Sequence, residues 1–116
     1  MGLARDRGIA AESLVAAYLE LAGATVIGRN QRLDGVEIDL IAQEGRTRVL
    51  VEVKCRSRAD FGGAAAAIDA DKRARLMRAA RAALHAGAAR VRIDVVAVDV
   101  TASGATVEHY RNAVHG

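Results

Sequence analysis

Between residues 25 and 56 the chain holds three strand-length runs separated by turn signals, and this stretch constrains the fold more than any other. The runs are Thr25 to Arg32, Val36 to Ala42 and Val49 to Arg56. Asp34-Gly35 separates the first two, and the segment Gln43 to Thr47, centred on Glu44-Gly45, separates the last two. Asp and Gly tolerate the positive φ that tight hairpin turns demand. Connections this short can join only antiparallel neighbours, so a three-stranded antiparallel meander is expected.

The flanks change period. From about Arg7 to Ala22, Ala10, Leu14, Ala17, Tyr18 and Leu21 recur at helical spacing, and Gly23 is a natural stop. A glycine- and alanine-rich connection containing Phe61-Gly62-Gly63 leads to a second helix from Asp69 to His85, with Asp69 as its cap and Gly87 beyond its end. Strands over Arg90 to Val100 and Ala105 to Tyr110 complete an α/β pattern. With 116 residues, 52% of them hydrophobic, the chain suits one domain over residues 1–116. The apolar stretch from Gly8 to Gly28 is broken by Glu12, Ser13 and Glu20, which argues against a membrane span and a conventional signal peptide and makes the cytoplasm the expected location. Cys55 is the sole cysteine, so neither an internal disulfide nor a cysteine-based zinc site is available.

The third run, VLVEVKCR, carries charge where a strand wants bulk. Alternation sends Val49, Val51, Val53 and Cys55 to one face and Leu50, Glu52 and Lys54 to the other. In the second run, Val36, Ile38 and Leu40 share one face, leaving Glu37, Asp39 and Ile41 on the other. Paired strands can thus bring Asp39 to Glu52 and Lys54, in the order D-x(n)-E-x-K with twelve intervening residues. Taken as a spacing alone this is common, and a solvated Glu52–Lys54 pair would also explain it. Two converging carboxylates, however, are what Mg²⁺ takes from protein, and a lysine beside them can orient water and offset charge at phosphorus. Of seventeen basic residues only Lys54 and Lys72 are lysine. Lysine is a compact point charge that a planar guanidinium does not replace. Lys72 falls on the inward face of the second helix with Leu76, Ala79 and Ala83, either as a snorkelling stem or as part of a site. Glu12 sits at the margin of the apolar arc formed by Val15, Ala16 and Leu19, and needs either an arginine or a site to satisfy it.

The net charge of +3 and the pI near 9.6 favour a nucleic-acid partner only mildly. Distribution says more. Arg56 and Arg58 follow the motif, and Arg73, Arg75, Arg78 and Arg81 line the second helix, so phosphates have several candidate contacts. With Tyr18, Phe61 and Tyr110 as its only Phe, Tyr or Trp residues, the chain is a poor base-stacking platform.

Taken in order, Gly8, Glu12, Ala17-Tyr18-Leu19, Gly23, Arg29-Asn30, Glu37-Ile38-Asp39-Leu40-Ile41-Ala42, Val51-Glu52-Val53-Lys54-Cys55-Arg56, Phe61-Gly62, Lys72, Arg92-Ile93-Asp94-Val95-Val96 and Asn112-Ala113 resemble the bacterial YraN family over nearly the whole chain. That family is uncharacterised and is similar to archaeal Holliday-junction resolvases and other PD-(D/E)xK nucleases. The resemblance implies a restriction-endonuclease-like αβββαβ core. It also implies Mg²⁺, with Mn²⁺ as a substitute, on Asp39 and Glu52, with Lys54 and Glu12 completing the catalytic set. One departure is Val36, where the family usually has glycine. Arg56, Arg58, Lys72 and Arg75 are the candidate nucleic-acid contacts, Glu37 is a candidate accessory acid, and a resolvase-like enzyme would be expected to act on DNA as a homodimer. Three functions compete: a metal-dependent endonuclease for branched or flapped DNA, a non-catalytic nucleic-acid-binding module, and a protein-interaction domain for an acidic partner.

Overall fold

The structure, a computed structural model, describes residues 3–56 and 68–115. The Phe61-Gly62-Gly63 connection and Arg58 lie outside them. The described elements run α1 (Leu3–Leu21), β1 (Thr25–Leu33), β2 (Val36–Glu44), β3 (Thr47–Arg56), α2 (Ala70–His85), β4 (Arg90–Thr101) and β5 (Gly104–Tyr110). The five strands form one sheet in sequence order. β1, β2 and β3 are the antiparallel meander, β4 returns parallel to β3, and β5 pairs antiparallel with β4. A parallel return needs a long crossover, and α2 lies within it. The αβββαβ core is therefore present, extended by one edge strand.

Local chemistry accounts for the joints. Asp34 and Gly35 both take positive φ, 51° and 76°, as the two-residue turn between β1 and β2 demands. Asp69 caps α2 by accepting from the Lys72 N–H, and Gly87, at φ 112°, follows its end. Val36, despite standing where the resembling family has glycine, is buried among Ile38, Leu76 and Ala79.

The helices cover opposite faces. Ala11, Val15, Ala16 and Leu19 of α1 pack on Leu40, Ala42, Val49, Val51, Val96 and Val98. Leu76 and Ala79 of α2 pack on Val36, Ile38, Ile41, Leu50 and Ile93. The inward face of α1 differs from the stripe read along the sequence: Leu14 is 39% exposed and Leu21 90%. This alanine-rich helix carries two apolar stripes at helical spacing. Contact with the sheet selects the one bearing Val15 and Leu19.

A second difference concerns β2. Val36 and Ile38 belong to the α2 face but Leu40 and Ala42 to the α1 face, so alternation slips by one residue at Asp39. Opposite Asp39, between the pairs Arg29↔Leu40 and Gln31↔Ile38, Asn30 takes a left-handed φ of 49°. Pairing of β2 with β3 also ends there, at Leu40↔Val51. The two strands fork at Asp39.

A polar chain crosses the other half of the α1 face. Fully buried Asp94 accepts from Arg92 at 2.8 and 3.1 Å, from the Asn112 N–H at 2.9 Å, and pairs with His109 Nε2 at 2.7 Å. His109 Nδ1 in turn meets the Tyr18 hydroxyl of α1 at 2.8 Å. Burial works against ionising Asp94, but Arg92, the Asn112 N–H and His109 together outweigh it and hold the carboxyl below its ordinary range. A depressed carboxyl stabilises the fold above its unfolded pKa, and that contribution is lost as pH falls through the folded value. Asp94→Asn is expected to cost about 2–3 kcal/mol at neutral pH. The difference from wild type should shrink below about pH 4 in thermal unfolding across acid pH.

Candidate active site

The strand fork gathers the charged residues. Because β2 has parted from β3, the Val53 N–H donates to Asp39 Oδ2 at 2.8 Å instead of to a β2 carbonyl. A side chain thus occupies a ladder position and fixes the carboxylate in place. Glu52, next along β3, is only 5% exposed. Its Oε2 lies 3.1 Å from Lys72 Nζ of α2 and 3.7 Å from Lys54 Nζ. From α1, half-buried Glu12 faces the same place, and its Oε1 accepts from Asn30 Nδ2 at 3.2 Å.

Electrostatics identify the tension in this arrangement. Burial pushes the Asp39 carboxyl up from 3.8 to about 7, with further upward pressure from Glu52 and a smaller one from Glu12. The Val53 N–H pulls the other way and is outweighed. Asp39 and Glu52 are close enough for their carboxyls to hydrogen-bond when one is protonated. Among the described residues no three His, Cys, Asp or Glu side chains form a ready-made metal cage. The donor set nevertheless fits Mg²⁺, which needs only one or two carboxylates besides water and phosphate, and a cation would relieve the repulsion between Asp39 and Glu52.

Glu12, Asp39, Glu52 and Lys54 therefore share one neighbourhood, although Asp39 reaches it through the fork and not by simple alternation. The Lys72 ammonium lies 3.1 Å from Glu52 and not simply in water, where a snorkelling stem alone would place it. Glu37 is exposed and lines an adjoining cavity with Lys72 and Arg75. Arg75, half exposed, stands 3.9 Å from Asp71 one helical turn away. Arg58 and the Arg56 side chain lie outside what is described. A larger cavity of about 510 Å³, between α1 and β1, is lined by Ser13, Glu20 and Arg29 and by none of the four clustered residues.

Asn30, named in the resemblance but given no role there, bonds to one of the candidate site acids. An asparagine in mid-strand is a signal, since Asn is depleted in strands and enriched at left-handed φ. Its purpose emerges only when Glu12 is seen opposite.

A family model described as "Uncharacterised protein family UPF0102" matches residues 11–98. A UPF0102 protein of Methylococcus capsulatus is 44% identical over 109 residues, covering 92% of this chain and 89% of that one. One of Nitrosomonas europaea is 42% identical over 115 residues, covering 97% of each. One of Dechloromonas aromatica is 52% identical over 75 residues, 65% of this chain and 62% of its relative's length. Among solved structures, Pyrococcus furiosus SfsA in complex with Ca²⁺ is similar with a TM-score of 0.39 and 17% identity, over 93% of this chain and 63% of that one. A likeness that slight says nothing further about this chain.

Proposed function

Since the chain belongs to the uncharacterised protein family UPF0102, the YraN family of the resemblance, its site has to speak for its activity, and we propose that it is a metal-dependent endonuclease of nucleic acid. The observation that carries this reading is the pair of crowded carboxylates, Asp39 and Glu52, flanked by Lys54 at the strand fork. Like charges are forced together there against their electrostatic preference, which is costly in a purely structural role and useful in a cation site.

Asp39 and Glu52 would hold Mg²⁺ or Mn²⁺. The cation supplies polarisation of the phosphoryl oxygen and a more acidic water. The chain's own residues do the rest. The Val53 N–H keeps Asp39 aimed, Lys72 anchors Glu52, and Asn30 donates to Glu12. Lys54, at 3.7 Å from Glu52 and about a third exposed, is free to donate to the attacking water and to offset charge on the phosphorane oxygens. Glu12 would accept a proton from that water as its oxygen bonds to phosphorus, while the P–O bond to the leaving strand breaks and the departing oxygen takes a proton from solvent.

The test is a cleavage screen over duplex, flap, fork and four-way-junction DNA and over RNA, with Mg²⁺, Mn²⁺ or chelator. Cation-dependent cutting of at least one substrate is expected. Binding in chelator should weaken as salt rises, and Arg56→Gln or Arg58→Gln should weaken it alike for all sequences. Salt-dependent binding without cutting would leave a non-catalytic module, and absence of binding would leave neither reading.

A further inference from the structure

Beside the fork, where the β1–β2 turn approaches α2, lies a polar cavity of about 300 Å³ lined by Arg32, Gly35, Val36, Glu37, Lys72 and Arg75. We propose that it is a subsite for a second phosphodiester of the bound strand, next to the one that reacts. The inference rests on the reading of nucleic acid as substrate.

Three cations from two elements converge there. Arg32 on β1 and Glu37 on β2 are register partners across the hairpin, while Lys72 and Arg75 come one turn apart from α2. Lys72 is the link to the fork, because its head lies 3.1 Å from Glu52 Oε2 while its side chain also borders the cavity. A strand whose reacting phosphate sat at Asp39 and Glu52 would therefore pass its neighbouring phosphate over Lys72 into the cavity.

The other two cations are available. Arg32 spends one donor on the Gly35 carbonyl, at 3.2 Å, leaving the rest of a five-donor guanidinium. The Arg75–Asp71 pair is 3.9 Å apart and largely solvated, a contact of small energy that a phosphate readily displaces. Position sets the ligand class: a phosphate that neighbours the reacting one within a strand is an internal diester, and in the lining three cations, Arg32, Lys72 and Arg75, stand against one acid, Glu37.

Anisotropy of a labelled single strand, with and without a terminal phosphate, tests this in chelator over a salt series. The Arg32→Gln/Arg75→Gln protein is compared with Arg46→Gln/Arg90→Gln, which removes the same charge from exposed positions at the opposite end of β3. Thermal unfolding confirms that each variant is folded. The cavity variant should lower the slope of log K against log salt by roughly 0.7, the loss of one single-strand phosphate, and the control should not. Equal slopes in the two variants, or no binding by wild type, would overturn the subsite. A marked preference for the terminally phosphorylated strand, lost in the cavity variant, would overturn the diester assignment. Cleavage is read separately: cutting with an unchanged slope sinks only the subsite, and a reduced slope without cutting sinks only the nuclease.

Discussion

Replacing Asp39 by asparagine is expected to eliminate cation-dependent cleavage and, at neutral pH, to make the cation-free protein more stable. The loss of activity follows from removing one of two carboxylates that would hold the ion. Transition-state charge stabilisation by a metal is worth several kcal/mol, so the rate should fall about a thousandfold or more. The gain in stability follows from the raised carboxyl. In the unfolded chain Asp39 gives up its proton near 3.8, whereas in the fold it does so near 7. Between those values the native state binds more protons than the unfolded one, so stability falls as pH rises through that window and stays lower above it. Asparagine has no such penalty. The variant should match wild type near pH 4 and exceed it by about 1–3 kcal/mol at neutral pH. Adding Mg²⁺ should raise the melting temperature of wild type and leave that of the variant nearly unchanged. A variant less stable than wild type at neutral pH, with no Mg²⁺ effect on either, would mean that Asp39 serves the fold through its bond to Val53.

Exchanging the two lysines for methionine should separate chemistry from structure. Both reach Glu52, but Lys72 Nζ is at 3.1 Å and Lys54 Nζ at 3.7 Å. Lys54→Met leaves buried Glu52 with its nearer partner, so the stability loss should stay below about 1 kcal/mol. Cleavage should nonetheless drop about 100-fold to 1000-fold, the scale on which one donor to a developing oxyanion acts. Lys72→Met takes the nearer cation away from a largely desolvated carboxylate and should cost about 1–3 kcal/mol. Calorimetry of both variants beside single-turnover cleavage reads the difference. If Lys54→Met unfolds as early as Lys72→Met and wild type cuts no substrate, the Glu52–Lys54 pair is a structural one and the catalytic reading is lost.

Much of the architecture was legible along the chain because its signals are local. The Asp34-Gly35 turn, the Asp69 cap, Gly87 after α2 and the alternation in β3 depend on residues within a few positions of one another, and the elements stand close to where those residues put them. The motif order Asp39, Glu52, Lys54 was legible too, since β3 keeps strict alternation and its charges stay on the α2 face.

What the sequence by itself determined, then, was the set of elements, the antiparallel meander and the residue types available to a site. Tertiary structure decided the rest, for reasons that lie between elements. Both stripes of α1 are apolar, and contact with the sheet chose Val15 and Leu19 over Leu14 and Leu21. Simple alternation in β2 would have carried Asp39 with Glu37 and Ile41. The slip occurs because the ladder to β3 stops at Leu40↔Val51 while Asn30, across on β1, turns left-handed, a concession no single strand records. Through that slip the Asp39 carboxylate takes up a backbone N–H and meets Glu52 from one side of the sheet and Glu12 from the other, which is a property of the packed molecule and of no segment within it.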